Sequence, residues 1–459
     1  MNILYNSLAR YKRIYAFSIP IILSMLSHSL VGFVDTVMVS QLGKNPLAAV
    51  GITNVVVNSL IGLLGAISPA INILMSRSLK NNKKSELSKY IWSGFYISLI
   101  IGVPITIIGV ILTKPILGII GAEASVISSG ATYMKIRFLT TILVLFQFIF
   151  SNFFKTVERT TISMKVTFAA NLMNIAGNYL LIFGNFGFPA LGVVGAGLST
   201  LMSYLFSFLI YSLYIFLSEY KDFFKWSTSL NGVKEAMISI IKISIPLGLE
   251  ELFSYLLVPT VIMMIVTHIS IDAIAANEIV INIISFIAIP HYAFSQAATT
   301  FISKLERLDS HRTMKNTIQD IIVCDIIYLV LISAIVVLNR KDIALLFIDE
   351  PKILEIVMPC LIISILLQPF DGILKILSGS LIALGYEKWT SILSSSLNWI
   401  IYVPLAYLLS IYMNMGLIGI FVSQLLFKII ASFVYTVKAN NSIKSMASKD
   451  LIGINSNTI

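Results

Sequence analysis

The chain has 459 residues, of which 57% are hydrophobic and only 12% charged, and its mean hydropathy is +0.91. Soluble domains carry about 25% charged residues, and a soluble chain of this length is divided by polar linkers, so an ordinary soluble fold is excluded. The net charge of +10 would suit a nucleic-acid partner, but the basic residues fall where membrane topology needs them.

A helix that crosses a bilayer needs about 20 apolar residues. On that rule twelve spans are predicted, at 15–40, 47–75, 90–113, 132–154, 161–184, 190–217, 240–267, 273–303, 318–339, 353–384, 388–412 and 414–438. The fold class is therefore an all-α polytopic membrane protein. Barrel strands would be alternating segments of roughly 10 residues. The first apolar run is too long for a signal-peptide core and has no small-residue cleavage site after it, so it is expected to be retained.

Arg10, Lys12 and Arg13 precede span 1, and basic residues recur in every second loop. Arg77, Lys80, Lys83, Lys84 and Lys89 lie between spans 2 and 3, and Lys155 and Arg159 between spans 4 and 5. Lys221, Lys225 and Lys234 follow span 6, and Lys304, Arg307, Arg312 and Lys315 follow span 8. By the positive-inside rule both termini are expected in the cytoplasm and the protein in the cytoplasmic membrane. The lipid bilayer is the expected partner, and nucleic acid is not. Cys324 and Cys360 show no CxxC spacing and no companion His, so packed free thiols are expected.

Residues 218–237, SEYKDFFKWSTSLNGVKEAM, form the longest polar interruption in mid-chain and divide the spans six and six. A shift of 226 places Pro20 on Pro246, Leu26 on Leu252, Met38 on Met264 and Ala49 on Ala275. A second echo pairs Gly192-Val-Val-Gly195 with Gly416-Leu-Ile-Gly419. Six spans per half is an even number, so the copies insert the same way up, as parallel repeats about an axis along the membrane normal. The expected organisation is an N-terminal lobe at 1–217, a cytoplasmic linker at 218–239, a C-terminal lobe at 240–438 and a polar, mobile tail at 439–459. The linker, with Phe223, Phe224 and Trp226 among Lys221, Asp222 and Lys225, is expected to lie as an interfacial helix at the headgroups.

A carboxylate in hydrocarbon costs roughly 2.5 to 3.5 kcal/mol on insertion scales, so acids inside spans are candidates for ion or substrate binding. Asp35 in span 1 has no Lys or Arg within a helical turn, so its partners must come from other helices or it must carry a proton. Span 5 offers Asn171, Asn174 and Asn178, the last two on one face, and span 6 adds Thr200. In span 7, Glu250 and Glu251 point about 100° apart; Glu250 is the candidate, with Ser254 one turn on. Asp371 in span 10 has Lys375 at i+4, which offers a purely structural ion pair. Glu278 and Asp325 are placed near the ends of spans 8 and 9, where both can reach the interface, and His28 and His291 are expected to be packed.

VDTVMVSQLG followed by LAAVG, then NLMNIAGNYLLIFG and FPALGVVGAGLST, then PLGLEELFSYL and AIAANEIVINI, resemble the multidrug and toxic compound extrusion (MATE) family, NorM-like branch. The resemblance covers about Tyr15 to Val437. It implies two six-helix lobes related by pseudo-two-fold symmetry, and antiport without a cofactor: H⁺ or Na⁺ enters and an organic cation leaves. It implies a coupling-cation site at Asp35, Asn174, Asn178 and Thr200, with Na⁺ at Asp35, Asn174 and Asn178 as the candidate metal ion. An amide stands at Asn178 where relatives often have Asp, which removes one negative charge from that site. The resemblance also implies a hinge at Pro20 and a second-lobe substrate or cation site at Asp371 and Glu250. Glu278 is included there, since Asn277-Glu278 replaces a His-Gln pattern of the family. A monomeric carrier suffices for such antiport. The alternatives weighed are a lipid-linked oligosaccharide flippase of the same superfamily and a membrane-embedded enzyme. The first calls for basic residues in the cavity, for which Lys375 and Lys428 are the candidates. The second calls for a nucleophile or metal motif such as HExxH or GxSxG, neither of which occurs.

Overall fold

The computed structural model describes residues 2–80, 84–120, 124–225, 230–305, 311–347 and 350–451. Lys83, Trp226 and Arg307 lie outside these ranges, as does the end of the tail at 452–459. Among the described residues twelve helices are long and apolar enough to cross a membrane. They are α1 (Leu8–Ser40), α2 (Lys44–Leu79), α3 (Ser85–Ile119), α4 (Gly130–Thr156), α5 (Thr160–Phe183) and α6 (Val193–Leu217), followed by α7 (Gly232–Thr267), α8 (Ile271–Leu305), α9 (Arg312–Leu338), α10 (Pro351–Ala383), α11 (Glu387–Tyr412) and α12 (Gly416–Ser445). Each predicted span has its helix. Hydrocarbon offers no partner to a free N–H or C=O, so an apolar run of this length must satisfy its backbone internally.

The close helix pairings repeat between the halves. In the first, α4 packs against α2, α3 and α6, and α5 pairs with α6. In the second, α10 packs against α8, α9 and α12, and α11 pairs with α12. The two glycine motifs explain the hairpins. Gly192 and Gly416 open α6 and α12 at φ 56° and 57°, a left-handed conformation that other residues adopt at a cost. Three residues on, a Cβ at Gly195 would run into the Leu181 carbonyl, and one at Gly419 would come within 2.7 Å of Leu409 C and Ser410 N. The second glycine therefore lets each last helix touch the backbone of the helix before it.

The chain forms two compact units, and their boundaries are not those of the two lobes. One comprises Pro20–Gly248; the other joins Met1–Ile19 to Leu249–Ile459. Both divisions fall inside a membrane helix, at Pro20 in α1 and just after Pro246 in α7. The first half of α1 belongs with the C-terminal helices: Tyr15 donates to the Cys324 carbonyl at 3.1 Å, Phe17 packs on Phe301 at 5.1 Å and Arg10 bonds Asp320. The helix itself runs unbroken through Pro20. In α7 the residues after the division, Glu251–Leu257, form a π-helical turn.

Two polar segments pack against the helices. Residues Glu219–Phe224 form a short 3-10 helix with Tyr220 and Phe224 buried; Phe224 stands edge-on to Phe153 at 4.9 Å. These rings complete the aromatic core of the first unit with Phe150, Phe154 and Tyr211. The start of the tail packs as well. The last helix continues to Leu451, and Ala439, Ser442 and Ile443 are buried.

Candidate functional site

Asp35 lies half-buried on the wall of a cavity of about 160 Å³ in the first unit. Because α5 carries an Asn at every turn or so, one face of it is amide rather than hydrocarbon. Asn178, fully buried, donates its Nδ2 to the Asp35 carboxylate and reaches Asn174 Oδ1 at 3.4 Å. Asn174 Nδ2 in turn donates to Thr200 Oγ1 at 3.4 Å, and Ser199 fixes the α5 backbone through the Asn174 carbonyl at 2.6 Å. The four residues of the expected first-lobe site are thus brought into one chain of hydrogen bonds. Asn171 belongs beside it, donating to Ser27 Oγ of α1 at 2.6 Å. Asn178 Oδ1 is buried and has no hydrogen-bond partner among the described residues. Carboxylate and amide oxygens are the donor types that hard cations take, and a protonated Asp35 keeps the Asn178 contact.

The sequence reading missed a cation in this cavity. Arg137 of α4 lines it with Asp35 and His28, is only 7% exposed, and donates Nη2 to Asn58 Oδ1 at 3.2 Å. Its Nε has no hydrogen-bond partner among the described residues. The signal was available, since Arg137 falls within predicted span 4, but periodicity alone does not say which face meets the cavity.

In the second unit, Glu250, Asp371 and Lys375 line one cavity of about 120 Å³. Glu250 accepts from Ser391 at 3.1 Å, and Ser254, one turn on, meets Ser395 at 3.2 Å. Asp371 is held by two lysines. Lys375 binds Oδ2 at 2.8 Å and Lys428 of α12 binds Oδ1 at 2.5 Å. Lys375 also covers the Tyr292 ring at 3.9 Å. A larger cavity of about 530 Å³ shares Asp371 and both lysines and is lined further by Asn277, Glu278 and Gln368. Glu278 is exposed there and stands apart from the Glu250 cavity.

Asp325 does not reach the interface. It is 1% exposed, and it pairs with a His291 that is wholly buried; Nδ1 lies 2.7 Å from Oδ1. Cys324 and Cys360 are free and buried. Among the described residues no group of three or more His, Cys, Asp or Glu is placed to hold a metal ion.

Twelve membrane-length helices in two halves with one packing pattern, each half holding buried charge beside a polar cavity, define a polytopic membrane carrier of repeated design. The MatE family model matches residues 20–180 and again 246–408, starting 226 residues apart as the internal repeat does. The chain belongs to this family, the MATE transporters. It is 26% identical over 415 residues to the uncharacterized transporter YisQ of Bacillus subtilis, covering 89% of this chain and 90% of that one. It is 25% identical over 431 residues to the probable multidrug resistance protein NorM of the same organism, covering 90% and 92%. Its fold matches the outward-facing conformation of a multidrug resistance MATE family transporter of the MOP superfamily, with a TM-score of 0.86, 18% identity, and coverage of 96% and 97%.

Proposed function

We propose that this transporter is a cation-coupled antiporter that exports organic cations across the cytoplasmic membrane by alternating access, as a monomer with both termini in the cytoplasm. The observation that carries the reading is the hydrogen bond from Asn178 to Asp35, on a helix whose two halves belong to different compact units. Entry of H⁺ or Na⁺ neutralises Asp35 and draws in the amides of α5. That changes the pull on α1 beyond Pro20, a residue that cannot donate a backbone hydrogen bond and so makes a helix bend easier. A shift at Pro20 moves the half of α1 that carries Asp35, and the drug site loses affinity. Membrane potential adds about 2.3 kcal/mol per charge per 100 mV. Relatives named as multidrug resistance proteins support the substrate class.

The test is transport of a fluorescent organic cation into or out of liposomes under an imposed H⁺ or Na⁺ gradient, beside Asp35→Asn. Transport driven by one gradient and lost in the variant identifies the coupling ion. Coupled transport that survives in the variant removes Asp35 from the mechanism. A second reading rests on buried Arg137 and partly buried Lys375 and Lys428, three cations lining cavities. They suit an anionic headgroup, as in a flippase for pyrophosphate-linked lipids. Movement of a labelled lipid of that class, with no movement of organic cations, would establish it instead.

A further inference from the structure

Beyond the two sites already described, the second unit contains a buried pair of ionisable side chains that the antiport reading does not use. His291 of α8 is 0% exposed and Asp325 of α9 is 1% exposed. Their contact is close on both oxygens, with Nδ1 2.7 Å from Oδ1 and 2.9 Å from Oδ2. A Cβ at Gly372 of α10 would run into Asp325 Oδ2 and come within 2.9 Å of His291 Nδ1. Three helices therefore close around the pair, and α10 needs a glycine there. The fourth side is the first half of α1, where Tyr15 packs on Phe294 with ring centroids 6.1 Å apart.

We infer that the His291–Asp325 pair is a proton-binding site of the C-terminal half, distinct from Asp35 and from the Asp371 lysine cluster. Imidazole is the side-chain type that exchanges protons in the physiological range. With Nδ1 committed to Asp325, the exchanging atom is Nε2, which is buried and has no hydrogen-bond partner among the described residues. Binding adds one proton at Nε2 and one positive charge, and turns the contact into an imidazolium–carboxylate ion pair. The charges around it make this possible. On α10 and α12, Asp371 faces Lys375 and Lys428. On α9, Asp320 is taken up by Arg10, while Cys324 and Tyr328 flank Asp325 in sequence. On α1, Tyr15 spends its hydroxyl on the Cys324 carbonyl; on α8, Tyr292 lies under Lys375. Glu250 shares a cavity with Asp371 and Lys375, so Glu250, Asp325 and Asp371 face Lys375 and Lys428, and one proton on Nε2 offsets the surplus acid.

A pair that merely holds helices together keeps one protonation state, whereas a proton site changes state within the working pH range. In the full chain bearing His28→Gln, His268→Gln and His311→Gln, His291 is the sole histidine. Its ring ¹⁵N resonances in detergent are followed from pH 5 to 9. A titrating Nε2 signal that is altered in Asp325→Asn supports the site. A single state across the whole range overturns it, and needs no second variant to be read. The inference rests on the antiport reading only for its purpose, so a separate measurement tests the link: proton release when tetraphenylphosphonium is added to weakly buffered wild-type protein. Release that drops by one proton in His291→Gln ties the site to transport. Equal release in both overturns the link to transport and leaves the pair to the resonance titration. Absence of tetraphenylphosphonium binding would count against the antiport reading, while the resonance titration still decides the pair.

Discussion

Asp371 illustrates how little of a buried charge is decided by its neighbours in sequence. The i+4 lysine was visible, and the pair forms, but Lys428 arrives from 57 residues away and binds the other oxygen. Removing one member of a buried ion pair leaves the remaining charge unsatisfied, at a cost on the order of 3 kcal/mol. Asp371→Leu strands two ammonium groups, so it is expected to lower the thermal midpoint of the purified protein more than Lys428→Met does. Equal shifts would mean that one lysine is already solvated. Asp325 was misplaced for a related reason. Its depth was judged from the end of an apolar run, yet α9 begins at Arg312, and 13 residues of helix carry Asp325 about 20 Å along its axis. Arg137 went unread because charge inside a helix says nothing of the face it occupies.

The helices themselves were legible because hydrocarbon enforces their length, and the repeat was legible because its glycines perform one steric task twice. Gly419→Ala places a methyl group against the α11 backbone. Overpacking of that kind costs about 1–3 kcal/mol, and a lowered thermal midpoint with normal insertion is expected. The same substitution at Gly195 is expected to behave alike, and a neutral result at either would break the equivalence of the hairpins. The opposite sign is expected at Pro20. Pro20→Ala restores a backbone N–H in mid-helix, worth about 1 kcal/mol, so the thermal midpoint should rise while gradient-driven transport slows. A faster transporter would remove the hinge from the mechanism. In the linker and tail, polar composition hid Tyr220, Phe224 and Ile443, each of which docks on a core. Ile443→Asp is expected to destabilise the fold measurably for that reason.

At the scale of the molecule, the division into compact units cuts through α1 and α7 rather than through the linker. Each unit therefore borrows half a helix from the other half of the chain. Fragments 1–225 and 226–459 are each expected to fail to give a stable species when expressed alone, and to co-purify one to one when expressed together. Recovery of either fragment as a well-behaved monomer would show that the lobes are self-sufficient. Sequence reading placed the boundary at the linker because polarity marks where a chain leaves the membrane. It does not mark which side of a membrane helix a partner comes from.

That borrowing has a consequence for how the protein is made. Arg10 and Asp320, bonded in the finished structure, are 310 residues apart. At a synthesis rate of about 5–20 residues per second, the start of α1 waits about 15 to 60 s for its partners to leave the ribosome. The ring partners of Tyr15 and Phe17, Phe294 and Phe301, also come late in the chain, so the first helix to be made is among the last to be finished.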